Sequence, residues 1–360
     1  MDKEVTGIKY VHIIYRNEEK FSSRVVRFIN NPETGIDSKL HLFVTPHKKV
    51  YNSVKEFENV ILDESKENLI NKYAPQCKWI ISHDFLDVKD VFKVKRKYLK
   101  KIIYRYWGGG FGYQYKKGQP LKNVLKAVIN CCLKRRINAF SAIGIAKNVD
   151  IMVLQTKLKD MRYYRMPYTN IESESILEKV RDSECVNDGI YNVALYHRGT
   201  VEGKHIEILK KLKRFGNKIR IYVPLSYGDE KYIEQVKAHI KNNSYDNVVV
   251  VDEFMEYEDY VSLINRMHIG IFNCDKSNAL GNVAVYLFLR KKLFLNRNGL
   301  IKKAFDEDSI PHRFVDELDT ISFDEFVADA GYPKDISYEL MPLGRKKSIE
   351  AWAKIIQDFN

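Results

Sequence analysis

Cysteine is scarce in this sequence. The five residues, Cys77, Cys131, Cys132, Cys185 and Cys274, are odd in number and none forms a C-x-x-C pair. That excludes a disulfide framework and leaves no thiolate zinc site, so reduced and mostly buried thiols are expected. No stretch approaches the roughly 18 uninterrupted apolar residues of a membrane-spanning helix. The opening Met1-Asp2-Lys3-Glu4 lacks the basic-then-apolar layout of a signal peptide. Internal repeats and low-complexity tracts are also missing, which leaves a soluble, cytosolic globular chain as the expectation. At 360 residues and 45% hydrophobic content it is long and apolar enough for two buried cores.

One further absence is local. Between Asp90 and Asp150 there is no carboxylate, while Lys93 to Lys147 supply fifteen of the chain's 60 lysines and arginines. The net charge of +13 is therefore concentrated in one block. A basic surface for a polyanion follows, whether lipid headgroups, a phosphorylated substrate or nucleic acid.

What is present is alternation of strand and helix. In the first half, Ile8 to Tyr15, Leu40 to Val44, Trp79 to His83 and Ile102 to Tyr106 read as strands, and Phe21 to Ile29 as a helix. The second half alternates more regularly. Strands are expected at Asn192 to Tyr196, Lys218 to Val223, Asn247 to Val251, Ile269 to Phe272 and Lys292 to Leu295, with helices at Lys204 to Phe215, Glu230 to Asn242, Tyr257 to Met267 and Gly281 to Leu289. Such alternation implies an α/β chain with two doubly wound, Rossmann-like parallel sheets. The polar stretch 169–189 is expected to link a first domain, 1–168, to a second, 190–343. The apolar side of the last helix, 344–360, carries Ile349, Trp352, Ile355 and Ile356 and is expected to return to the first domain.

Ligands of parallel sheets bind beyond the carboxyl ends of the strands, so the loops that follow strands hold the candidate residues. His197-Arg198-Gly199-Thr200 leads through Gly203 to a helix at His205, and Ser277-Asn278 leads to Gly281-Asn282 at the start of another. Both have the small residues and helix entrance of an anion cradle, and two cradles in one domain suit one diphosphate. Tyr227, at the end of another strand, is a candidate for stacking on a base or sugar. In the first domain, Trp107-Gly108-Gly109 suits a carbohydrate or lipid-phosphate pocket, and His83-Asp84 is a titratable pair where a general base is needed. Asp306-Glu307-Asp308 lies in a polar stretch rather than directly after a strand and reads as a solvated loop. No metal site is indicated.

Taken together, several segments resemble the TDP-N-acetylfucosamine:lipid II N-acetylfucosaminyltransferase family. They are Tyr106-Trp107-Gly108-Gly109, Gly199 with His205, Val223-Pro224-Leu225-Ser226-Tyr227, Tyr232 to Val236, Met255 to Tyr260, and Gly281 through Leu295-Asn296-Arg297. The resemblance implies a GT-B fold, two domains facing across a cleft with the donor in the second. It implies transfer of an acetamido-dideoxyhexose from a dTDP donor to a polyprenyl-diphosphate-linked glycan at the inner face of the cell membrane, with no cofactor. It matches Gly199, His205, Tyr227 and Gly281 to donor positions, and Arg24 and His83 to acceptor-domain positions. Where the family reads W-G-x-D, this chain has Gly110, so Asp84 is the alternative carboxylate. A peripheral enzyme docked on anionic lipid, without a nucleic-acid partner, is the resulting expectation.

Overall fold

The computed structural model describes residues 7–17, 19–65, 67–84, 88–106, 112–113, 118–145, 154, 158, 160–167, 171–181, 183, 189–276, 279–307, 309–332 and 345–360. The chain divides into two compact units, Met1–Asn170 with Pro342–Asn360, and Ile171–Met341.

In the first unit, strands β1 (Tyr10–Ile14), β2 (His41–Thr45), β3 (Val60–Leu62), β4 (Trp79–His83), β5 (Ile102–Arg105), β6 (Ala142–Ile145) and β7 (Tyr163–Arg165) form one sheet. Its order is β3-β2-β1-β4-β5-β6-β7, and every pairing is parallel. Alternate residues enter different cores. Val11, Ile13, Ile80 and Ile102 pack into one cluster, while Tyr10, Ile14, Ile81 and Ile103 pack into the other. Burial on both faces explains why these strands read as continuous apolar runs, each fully buried aliphatic stabilising by about 1.5–3 kcal/mol.

The second cluster is closed by the last helix, Arg345–Asp358. Trp352 is fully buried in it and donates from Nε1 to the Pro167 carbonyl at 2.6 Å. Trp79 Nε1 likewise donates to the Phe359 carbonyl at 2.6 Å.

In the second unit, β8 (Tyr191–Ala194), β9 (Ile219–Pro224), β10 (Val248–Val251), β11 (Ile269–Phe272), β12 (Lys292–Leu295) and β13 (Arg313–Phe314) follow the order β10-β9-β8-β11-β12-β13. All pairs are again parallel. The chain is thus of the α/β class with two parallel sheets.

The segment 169–189 differs from the expected linker. It contains the helix Ile171–Arg181, whose Leu177 and Val180 are buried in the second unit's core. Asn265 Nδ2 donates to the Val180 carbonyl at 2.8 Å and ties that helix down. Two apolar residues at i and i+3 suffice to dock it, and the polar majority of the segment conceals them.

Candidate functional site

In each sheet the strand order reverses once, between β1 and β4 in the first unit and between β8 and β11 in the second. The carboxyl ends of these pairs are where a ligand crevice opens.

The second unit's switch point brings the two expected cradle loops side by side. After β8, the Gly199 N–H donates to the Tyr227 carbonyl at 2.9 Å, and the Asp229 N–H returns to the Gly199 carbonyl at 2.8 Å. This lacing needs glycine. A Cβ on Gly199 would lie 2.3 Å from Ile233 Cγ1, and one on Gly228 would lie 2.2 Å from the Gly199 carbonyl oxygen. Gly199 is therefore demanded by packing between the loops after β8 and β9. Gly281 differs: it is exposed in the first turn of the helix Leu280–Phe288, and a Cβ there would meet nothing within 4 Å. Asn282 follows it, half-buried. Ser277 and Asn278 lie outside the described residues.

Ion pairs join the loops. Lys204, in the left-handed conformation at φ 49°, places Nζ 3.1 Å from Asp275 Oδ1, which also accepts from Asn296 Nδ2 at 2.8 Å. Arg198 holds its guanidinium 6.0 Å from the Tyr196 ring centroid, and its Nε is buried without a hydrogen-bond partner among the described residues. A buried cationic N–H in that state is suited to an anionic acceptor supplied from outside the chain. His197 and Thr200 flank it, half-buried, and Tyr227 is 46% exposed beside them.

His205 was matched by the resemblance to a donor position, and the structure corrects this. Its ring is fully buried, with Nε2 3.1 Å from the Tyr196 carbonyl oxygen and Nδ1 3.3 Å from Tyr232 Oη. Burial pushes its pKa down to about 4, so the imidazole is neutral near pH 7. It fixes the loop rather than a phosphate.

His83 requires the same correction. It ends β4 but is only 2% exposed, and its Nε2 lies 3.0 Å from His12 Nδ1, whose Nε2 is 2.8 Å from His41 Nδ1. Three buried imidazoles thus cross the sheet diagonally. Burial, then the neighbouring Arg105 charge, lowers the His83 pKa to about 3; burial lowers His41 to about 4. Burial and then the other two rings push His12 well below the ordinary range. A sealed imidazole cannot reach a substrate hydroxyl.

Asp84, one residue on, is half-buried at the switch point with φ 71°. Tyr104 Oη donates to its Oδ1 at 3.2 Å, and Arg16 Nη1 lies 3.7 Å from Oδ2. Arg24 is half-buried on the helix Glu19–Asn30. Trp107, Gly108 and Gly109, and the departure at Gly110, lie outside the described residues. Among the described residues no three His, Cys, Asp or Glu side chains converge as around a metal ion.

The family described as 4-alpha-L-fucosyltransferase, glycosyl transferase group 56, matches residues 93–329. The chain belongs to this family. The match covers about two-thirds of the chain, including β5 to β7 and the whole second sheet. Similar solved structures include Anabaena HepE in complex with UDP, 9% identical with a TM-score of 0.65 over 98% of this chain and 100% of that one. A glycosyltransferase from Rickettsia africae is 10% identical, with a TM-score of 0.64 over 98% of each chain. The UDP-GlcNAc 2-epimerase of Neisseria meningitidis is 13% identical, with a TM-score of 0.54 over 98% of this chain and 100% of that one. At these identities the likeness establishes the GT-B fold, which also carries epimerases. The glycosyltransferase activity, sugar transfer from a nucleotide sugar, follows from the family.

Proposed function

We propose that this family member transfers a deoxyhexose, an acetamido-dideoxyhexose, from a dTDP donor to a polyprenyl-diphosphate-linked or other cell-surface glycan acceptor at an anionic membrane surface. The observation that carries the donor side is the Arg198 Nε at the second unit's switch point, buried and unpartnered among the described residues, together with open space at Gly281. The diphosphate would occupy that cradle, with Arg198 and the first turn at Gly281 stabilising the departing charge. Tyr227, His197, Thr200 and Asn282 would complete the donor pocket. On the acceptor side Asp84 takes the general-base role that His83, being sealed, cannot fill. Arg24 and the Trp107-Gly108-Gly109 segment remain its proposed acceptor contacts. The basic residues from Lys93 to Lys101 and at Lys134, Arg135 and Arg136 would hold the enzyme on anionic lipid.

A second reading, a UDP-sugar donor, is favoured by HepE, whose structure holds UDP. Thermal stabilisation by a panel of dTDP, UDP and GDP separates the two. A ligand at a hundredfold its Kd stabilises by about 2.7 kcal/mol, so dTDP should raise the melting temperature by several degrees more than the others. A larger shift with UDP would transfer the assignment, and no shift with any of them would reject the donor site.

A further inference from the structure

The helix Pro120–Ile137 lies inside the acid-free block and has eighteen residues, about 27 Å of axis at 1.5 Å per residue. Its last turns are firmly fixed. Leu133 and Ile137 are buried in the first unit's core, Arg136 Nε donates to the Val91 carbonyl at 3.1 Å, and its guanidinium lies 5.8 Å from the Phe92 ring centroid.

Its first turns do the opposite. Leu121 is 85% exposed, Val124 64%, Leu125 61% and Val128 56%, so four of the nine large exposed hydrophobics among the described residues share this helix. The spacing i, i+3, i+4, i+7 places them on one face. Single exposed aliphatics are ordinary, but a contiguous stripe on a rigid element marks a contact surface.

The chemistry of the stripe selects the partner. It is aliphatic, without the aromatic anchors that carry protein interfaces or single-stranded nucleic-acid platforms. The helix bears Lys122, Lys126, Lys134, Arg135 and Arg136 and no carboxylate, so the surface it complements is negative. An exposed aliphatic face on a helix without carboxylates, with Lys122 beside it and Arg135 in line with it, suits the headgroup boundary of an anionic bilayer. Its five charges keep it from crossing, and no helix among the described residues is long and apolar enough to span a membrane.

We propose that the helix Pro120–Ile137 is an interfacial anchor, its Leu121, Val124, Leu125 and Val128 face entering the headgroup boundary of an anionic bilayer while Lys122 and Arg135 meet lipid phosphates. This deepens the membrane reading above and rests on it. Purely electrostatic docking vanishes with salt, whereas apolar insertion leaves a component that survives it.

The test is flotation of the full chain with phosphatidylglycerol-containing and pure phosphatidylcholine vesicles, at low salt and at about 1 M salt, where the screening length falls to about 3 Å. A variant carrying Leu121→Gln, Val124→Gln, Leu125→Gln and Val128→Gln keeps helix propensity and removes only exposed side chains. It should retain the wild-type melting temperature and dTDP affinity, yet bind phosphatidylglycerol vesicles at least about tenfold more weakly and lose all salt-resistant binding. Equal binding by the variant and wild type would overturn the anchor while leaving electrostatic docking in place. Failure of the wild type to bind anionic vesicles at all would overturn both. A wild-type dimer that the variant dissociates, with lipid affinity unchanged, would assign the face to a second copy instead.

Discussion

Asp84 holds its backbone at φ 71°, a region that costs a non-glycine residue about 1–2 kcal/mol and persists where the surroundings impose it. Here the Ser82 hydroxyl donates to the Asp84 carbonyl at 3.0 Å, and the Tyr104 hydroxyl donates to its carboxylate. That carboxylate is half-buried just past the end of β4. If it takes the acceptor proton, Asp84→Asn should lower kcat at least about a hundredfold with dTDP affinity unchanged in calorimetry. Near-normal turnover would dismiss Asp84. The complementary change on the donor side is Gly281→Val. The site is open, so the valine should fold without clash, yet it puts a branched side chain where a phosphate would approach a helix entrance. A fall in dTDP affinity of at least about tenfold, with the melting temperature of the ligand-free protein within about 2 °C of wild type, is expected; unchanged affinity would move the diphosphate elsewhere. By contrast, Gly199→Ala should fail through packing against Ile233, with loss of stability as its signature.

At the scale of elements, the principal strands were legible because a sheet buried on both faces writes itself as runs such as Ile269–Phe272. Short strands escaped for stated reasons. In β6 a Cβ on Gly144 would lie 2.8 Å from Met166 Sδ, so contact takes the place of a β-branched side chain and erases the signal. The helix Pro120–Ile137 hides its period by carrying apolar residues on exposed and buried sides alike. Of the candidate site, loop positions were readable but side-chain burial was not: His83 and His205 each follow or end a strand as a ligand residue would, and only packing shows them sealed. Their burial has a pH consequence. His12, His41 and His83 have folded pKa values below the ordinary 6.5, so below that pH the unfolded chain binds protons the folded one refuses. Stability is complete above about pH 6.5 and falls as pH drops toward 4, by about 1.4 kcal/mol per unit for each histidine. The melting temperature should therefore decline steeply between pH 6.5 and 5, before most carboxylates titrate. A flat profile across that window would show that the imidazoles accept protons in place.

For the whole molecule, the decisive feature is that residues Ile171–Met341 interrupt a unit whose final helix comes from the far end of the chain. Trp352 is the largest fully buried side chain among the described residues, beside the His12 and Phe28 rings at centroid distances of 6.1 Å and 6.5 Å. Through Pro167 it also fixes the chain just before the second unit begins. The second sheet has its own cores, built from Val193, Ile221 and Phe294 on one side and Ala194, Phe272 and Leu295 on the other. Trp352→Ala should therefore act on one unit. Removing a buried indole costs about 3–5 kcal/mol, and for a unit of this size each kcal/mol moves the midpoint by about 2–4 °C. Calorimetry should show a transition of the first unit lowered by about 10 °C or more, and a separate transition of the second unit that stays in place and still rises with dTDP. A single transition that shifts as a whole would mean the two units unfold cooperatively, so that the donor site depends on the returning helix for its stability.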